Sequence, residues 1–224
     1  MRGFYPILDL GLAARRGLDA ADLVSGLAAL GAPAVQLRAK QLPAGAFLHA
    51  AESVVRAAAG IAVIINDRVD IARLAGATGV HLGQTDLPPR CARKLLGAGP
   101  WIGYSTHSTL QVRAAMAEAD SELSYLAIGP VFPTGNKENP DPVVGLAGIA
   151  SVRTFYPGPL VAIGGISLER AAAVWAAGAD AVAVIGGWLE MPDPLSRARD
   201  YMLAFERFSR QSDKERGTPK PRKG

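Results

Sequence analysis

The side chains able to do chemistry come in short bursts. The first is Gln36-Leu37-Arg38-Ala39-Lys40. In an extended strand alternate side chains share a face, so Gln36, Arg38 and Lys40 point the same way. Two cations and an amide on one face suit an anion: arginine grips phosphate through two parallel N–H groups, and lysine adds a point charge. The next bursts, Asn66-Asp67-Arg68 and His81-Leu-Gly-Gln84-Thr-Asp86, supply two carboxylates, Asp67 and Asp86. Carboxylates beside a cation-bound polyphosphate are ordinary Mg2+ ligands. Mg2+ takes one or two of them and completes its shell with phosphate oxygens and water. Singly, Asp67 could cap a helix and Asp86 a turn. Beside Arg38 and Lys40 the metal reading is favoured.

Gly103-Tyr-Ser105-Thr-His107-Ser108 follows. Ser108 or Thr109 suits a helix cap. His107 is either a general base or a structural residue at a helix start; His49 and His81 read as structural. The longest polar connection runs from Gly129 to Gly145 and contains Thr134, Gly135, Asn136 and Lys137. Long connections in compact folds are usually functional, and this one suits a lid carrying Lys137 to an anion. Gly164-Gly165 and Ile185-Gly186-Gly187 come late. Glycines after the last two strands of a barrel, each opening a short helix, cradle a phosphate on backbone N–H groups. No nucleophile–base pair stands out. A metal-assisted polyphosphate site beside a monophosphate cradle fits transfer or elimination of pyrophosphate better than triad hydrolysis.

These bursts need elements to position them. Strand-like apolar runs lie at Phe4–Asp9, Ala34–Arg38, Ala62–Asn66, Gly79–Leu82, Trp101–Tyr104, Tyr125–Gly129, Leu160–Ile163 and Ala181–Ile185. Several are apolar throughout, as in parallel strands buried on both faces. Helical spacing separates them, as in Leu195, Ala198, Met202 and Phe205. The segment Ser167 to Gly178 has a Ser at its start and a Gly at its end. Gly-Ala pairs precede strands at Gly31-Ala32, Gly76-Ala77 and Gly178-Ala179. Eight strand–helix beats predict a single-domain α/β fold, a (β/α)8 TIM barrel over residues 1–209. The rival, an open doubly wound sheet, lacks its Gly-x-Gly-x-x-Gly after the first strand. The bursts all fall where strands end, which in a barrel is the mouth of the site.

Composition narrows the setting. Of 224 residues, 49% are hydrophobic and 20% charged, enough apolar material for a large core. The single cysteine, Cys91, excludes an intramolecular disulfide and a Cys-built zinc site. The net charge of +4 sits at the end: residues 210–224 hold six basic and two acidic side chains, leaving 18 against 18 before them. That basic tail, rich in charge with nothing to bury, reads as disordered. A nucleic-acid role would rest on it alone, so none is expected. No apolar run is long enough to span a membrane, and the opening segment lacks a signal-peptide pattern, so a cytoplasmic setting is expected. The partners expected are small-molecule substrates, with a homo-oligomer left open.

The motifs together resemble the thiamine-phosphate synthase family over roughly residues 4–205. The resemblance is carried by Gln36–Lys40, Ile65–Asp70, Gly79–Asp86, Gly103–His107, Gly129–Lys137 and Ile163–Ile166. It implies that the enzyme joins a hydroxymethylpyrimidine diphosphate to a thiazole monophosphate, releasing pyrophosphate and thiamine phosphate. It implies that Gln36, Leu37, Arg38, Ala39, Lys40, Asn66, Ser105 and Lys137 hold the pyrimidine diphosphate, with Arg38, Lys40, Ser105 and Lys137 as the catalytic set. Asp67 and Asp86 would bind Mg2+. Thr134, Gly135, Asn136, Gly165, Ile185 and Gly186 would hold the thiazole phosphate. The implied chemistry is dissociative, in keeping with the missing general base. Two positions depart from the family pattern: Asn136 stands where a Thr is usual, and Gly186 where many members have Ser. Both lie on the thiazole phosphate side, so weaker affinity is expected there. The alternatives are a thiazole tautomerase, which shares the Ser105-x-His107 pattern but typically lacks Gly83–Asp86, and a non-catalytic thiazole or thiamine phosphate binding regulator.

Overall fold

The computed structural model describes residues 1–119, 122–134 and 141–217. Its elements run β1 (Gly3–Asp9), α1 (Leu10–Arg15), α2 (Ala20–Ala29), β2 (Ala34–Arg38), α3 (Ala44–Ala57), β3 (Ala62–Asn66), α4 (Val69–Leu74), β4 (Gly79–Leu82) and α5 (Pro89–Leu96). They continue with β5 (Trp101–Thr106), α6 (Thr109–Ala119), β6 (Tyr125–Ile128), α7 (Gly145–Arg153), β7 (Leu160–Ile163), α8 (Leu168–Ala176), β8 (Ala181–Val184), α9 (Gly186–Leu189) and α10 (Pro194–Gly217). The strands form a closed barrel in chain order, every neighbouring pair parallel, with β1 returning to β8 through the register Gly3↔Ala181. The (β/α)8 barrel expected from the rhythm of the sequence is the fold.

Local chemistry explains the repeat. Helices α2, α4 and α8 are each followed, after one capping residue, by a glycine with positive φ: Gly31 at 80°, Gly76 at 65° and Gly178 at 111°. The next alanine then donates back into the last turn, Ala32 to Leu27, Ala77 to Ala72 and Ala179 to Val174. This closure needs a left-handed residue, and glycine alone adopts that conformation freely. Each Gly-Ala pair therefore stops a helix and turns the chain into a strand. At the other end of α8, Ser167 occupies the cap position but its side chain makes no capping bond. Its hydroxyl instead donates to the Glu169 carboxylate, which is held below the usual glutamate range mainly by that bond.

The core has two layers. Tyr5, Ile7, Ala34, Ile64, Tyr125, Ala127, Val161, Ala181 and Ala183 fill the barrel interior. A larger shell, including Leu8, Leu37, Phe47, Val54, Val80, Ile102 and Trp188, seals the strands against the helices. Helix α10 closes the seam between first and last strands. Tyr201 stacks on Phe4 with ring centroids 4.7 Å apart, and Phe205 packs beside Gly3. This helix also revises the expected tail. It runs on through residues 210–217 because nothing there breaks it: Glu206 and Arg210 pair one turn apart, and Gly217 is the first glycine or proline after Pro194. Residues 218–224 lie outside the described residues.

Candidate functional site

The C-terminal end of β2 meets that of β1. Side chains alternate as expected: Gln36 and Arg38 turn toward the barrel axis, while Leu37 is fully buried against the helices. Leu37 and the partly buried Ala39 can therefore meet a ligand at the mouth only through their backbone. Gln36 sits deeper than a mouth residue. It is 3% exposed, and its amide donates to the Tyr5 hydroxyl at 3.2 Å. Arg38 is partly exposed and forms an ion pair with Asp9, the last residue of β1. Asp9 has a second task. Its other oxygen accepts from the Leu12 N–H at 2.9 Å and caps α1. Sequence reasoning missed Asp9; applying the strand-end rule to the first strand would have found it.

Lys40, beyond the end of β2, reaches across to β3. Its Nζ lies 2.6 Å from Asp67 Oδ2. Asp67 follows Asn66 with a φ of 65°, an uncommon conformation for a residue with a side chain. Its N–H donates to the His81 carbonyl at 2.8 Å. This strained geometry directs the carboxylate back over the strand ends, where strain is most often found at working sites. Asp86 approaches from the β4 loop, its Oδ2 accepting from the Gly83 N–H at 2.7 Å. Burial raises the Asp86 carboxyl above the usual aspartate range, and the neighbouring Asp67 carboxylate adds to the rise. Two carboxylates this close, one reluctant to ionise, want a cation between them, and Lys40 supplies one positive charge from the side.

That donor set fits Mg2+. The donors are hard oxygens on two carboxylates, and the adjoining cations would bring phosphate oxygens to complete the shell. Among the described residues no group of three or more His, Cys, Asp or Glu comes together, so a shell made wholly of side chains is not formed there.

Beneath this surface lies a polar chain that sequence reasoning did not find. Tyr5 Oη is 3.0 Å from Tyr125 Oη, Tyr125 Oη is 2.9 Å from His81 Nδ1, and His81 Nε2 is 2.8 Å from Ser105 Oγ. Tyr5, Tyr125 and His81 are buried. Burial drives His81 down to about 4, against a weaker opposing pull from Asp67, so the ring is neutral near pH 7. Ser105 is thus tied from below, and Gln84 donates to its carbonyl at 2.5 Å from above. The sequence signal was faint: a lone His within an apolar strand, and tyrosines in two others.

On the far side, His107 Nδ1 donates to the Gly129 carbonyl at 2.6 Å and lies 3.5 Å from Asp141 Oδ2, while its N–H donates to Gln111. These contacts tie the end of β5 to the loop after β6. That loop then lies along β7: Val131 donates to Ile163 at 2.9 Å, and Phe132 to Gly164 at 3.0 Å. A Cβ on Gly165 would come within 2.6 Å of the Pro133 carbonyl oxygen, so the absence of a side chain there lets the loop approach. Thr134 is partly buried beside this contact. Gly135, Asn136 and Lys137 lie outside the described residues. Ile185 and Gly186 open α9, a single turn, and the Glu190 carboxylate lies close over Gly186.

Comparison with known proteins shows the family and the fold. The family model described as thiamine monophosphate synthase matches residues 4–187. The thiamine-phosphate synthase of Anaeromyxobacter dehalogenans is 46% identical over 177 residues, covering 79% of this chain and 78% of that protein. The one from Koribacter versatilis is 44% identical, covering 82% and 83%. Among solved structures, a thiamine phosphate pyrophosphorylase from Pyrococcus furiosus superposes with a TM-score of 0.79 at 26% identity, covering 92% of this chain and 96% of that one. An aldolase from another family superposes at 0.66 with 20% identity, which shows the shared barrel alone. With the family model spanning residues 4–187 and relatives of 46% and 44% identity covering 79% and 82% of it, the chain belongs to the thiamine monophosphate synthase family.

Proposed function

We infer that this chain condenses 4-amino-2-methyl-5-(diphosphooxymethyl)pyrimidine with 4-methyl-5-(2-phosphooxyethyl)thiazole to give thiamine phosphate and pyrophosphate. The observation that carries the reading is the meeting of Arg38, Lys40, Asp67 and Asp86 at one end of the barrel. The C–O bond at the pyrimidine methylene breaks, and its electron pair leaves with pyrophosphate. The thiazole nitrogen lone pair then forms the new C–N bond. No proton must be removed from either carbon, which suits a site without a dedicated base.

Each residue has a part in that sequence. Arg38, held by Asp9, and Lys40 face the charge that grows on the leaving diphosphate, and the family resemblance assigns Lys137 the same task. Fixed cations are most useful where charge develops. Asp67 and Asp86 would hold Mg2+, which when bound would supply positive charge to offset that of the leaving diphosphate. Ser105 meets the pyrimidine, with Gln36 below it and Asn66 beside it. Gly165, Ile185 and Gly186, with Thr134, Gly135 and Asn136, take the thiazole phosphate. The intact Gly83–Asp86 element argues against a tautomerase, and the paired carboxylates are superfluous to a simple binder. Among the described residues no helix is long and apolar enough to cross a membrane, and we place the reaction in the cytoplasm.

The test is direct. Purified protein, both substrates and Mg2+ should yield pyrophosphate and thiamine phosphate in equal amounts, and EDTA should stop both. Thiazole phosphate binding without product would move the reading to a regulator.

A further inference from the structure

We propose that Gln36, Tyr5, Tyr125 and His81 form a one-way hydrogen-bond relay that fixes Ser105 as a donor, so that its hydroxyl selects the lone pair of a pyrimidine ring nitrogen. The proposal rests on the functional reading above for the identity of the ring and on geometry for the rest.

The direction of the relay follows from counting hydrogens. Gln36 Nε2 bears hydrogens only, so at 3.2 Å it donates to Tyr5 Oη. Tyr5 must then place its own single hydrogen. It is 1% exposed, so no solvent reaches it, and the remaining neighbour is Tyr125 Oη at 3.0 Å. If Tyr5 donates there, Tyr125 donates to His81 Nδ1 at 2.9 Å. His81 then carries its proton on Nε2 and donates to Ser105 Oγ at 2.8 Å. Each hydroxyl and imidazole hydrogen along the relay has an acceptor, and the Ser105 hydrogen is left to point at the ligand.

With the Gln36 amide nitrogen toward Tyr5, the opposite direction fails at one atom. Ser105 would donate to His81, His81 to Tyr125, and Tyr125 to Tyr5. Tyr5 would receive hydrogens from both neighbours and have nowhere to send its own. An unsatisfied hydroxyl in a dry interior is the costly alternative. An amide 31 residues away from Tyr5 thus sets the polarity of a chain that ends at the mouth.

The packing holds the relay rigid. Tyr5 and Tyr125 meet edge to face at 6.0 Å, and His81 stacks on Tyr125 at 5.5 Å with ring planes 21° apart. Registers His81↔Gly103 and Gly103↔Tyr125 place the two rings on either side of a residue without a side chain. A serine locked as a donor favours a ring nitrogen, which offers a lone pair, over the exocyclic amine, which offers hydrogens. Tyr5, Tyr125 and His81 are positioning residues, because they reach the ligand only through Ser105.

The first measurement is the tautomer of His81 in the free protein. Protein with 15N-labelled histidine is examined by long-range 1H–15N correlation near pH 8, with His81→Gln identifying its signals among those of the three histidines. The expected result is a proton on Nε2 and a bare Nδ1. A proton on Nδ1 overturns the relay. The second is Tyr5→Phe, which leaves Ser105 and His81 in place but removes the polarising link. It should mix the His81 tautomers and raise KM for the pyrimidine diphosphate about tenfold, the effect of one lost hydrogen bond. The KM for the thiazole phosphate should stay within twofold. A pure Nε2 tautomer with unchanged KM in Tyr5→Phe also overturns the proposal. The tautomer is read without turnover. A protein with the expected tautomer that makes no thiamine phosphate would therefore sink the functional reading and leave the relay standing.

Discussion

Replacing Gly103 by Ala tests how tightly the barrel interior is built around the site. Gly103 lies on β5 with no positive φ, so the change costs contacts, not backbone strain. An ideal Cβ there would sit 2.1 Å from Tyr125 Cζ, 2.4 Å from its hydroxyl and 2.6 Å from His81 Nδ1. Both rings are buried, and each is held by its bonds to the other and beyond. Overpacking a well-filled core costs about 1–3 kcal/mol. Driving Tyr125 from His81 also leaves two buried polar atoms poorly paired, at about 1–3 kcal/mol. The sum, about 2–6 kcal/mol, corresponds to a Tm lower by about 4–24 °C in a chain of this size. Thermal unfolding followed by circular dichroism is the assay. Gly45→Ala is the control, because its Cβ meets nothing within 4 Å in the first turn of α3 and should stabilise slightly. Adding Tyr125→Phe should not rescue Gly103→Ala, since the ring carbon alone fills the position. A Tm loss below about 3 °C for Gly103→Ala would refute the reasoning.

Four further outcomes are expected. His81 titrates near 6.5 when unfolded and near 4 when folded, so between those values the unfolded chain binds a proton that the folded chain lacks. Its contribution is intact above about pH 6.5 and falls as the pH drops toward 4, by roughly 1.4 kcal/mol per unit; urea midpoints that do not fall between pH 7 and pH 5 would contradict this. Asp67→Asn should abolish Mg2+ stimulation while keeping the fold. Asn tolerates the positive φ, whereas Ala would add about 1–2 kcal/mol of strain and blur the result. Asp9→Asn should keep the α1 cap and the Tm but lower kcat about tenfold by releasing Arg38, the scale of a lost charged hydrogen bond. Gly186→Ser should lower the thiazole phosphate KM about tenfold by restoring a hydroxyl, because the nearby Glu190 side chain is exposed and free to turn away.

The barrel was legible in the sequence for a physical reason. Strands buried on both faces must be apolar throughout, and short turns leave few places for polar residues, so the strand boundaries and the site bursts mark each other. Four strands, Ala34–Arg38, Ala62–Asn66, Gly79–Leu82 and Leu160–Ile163, have the predicted bounds, and the others differ by one or two residues at an end. The cationic strand end and the two carboxylates were legible as residue types, because charged side chains stand out at the ends of apolar strands. The helical extension through Gly217 was not, since a charged segment with little to bury reads alike as coil or as a solvated helix end.

What tertiary structure alone decided is which of these residues meet. Arg38 finds Asp9 and Lys40 finds Asp67 only because barrel closure sets neighbouring strand ends side by side. The buried chain joins residues up to 120 positions apart, and each of its members passes in sequence for a core residue with an incidental polar atom. Periodicity reports which face a side chain occupies and nothing about its partner across the interior. Hydrogen-bond direction, the neutral state of His81 and the space reserved by Gly103 depend on distances of two to three ångströms, which strand register and closure fix together.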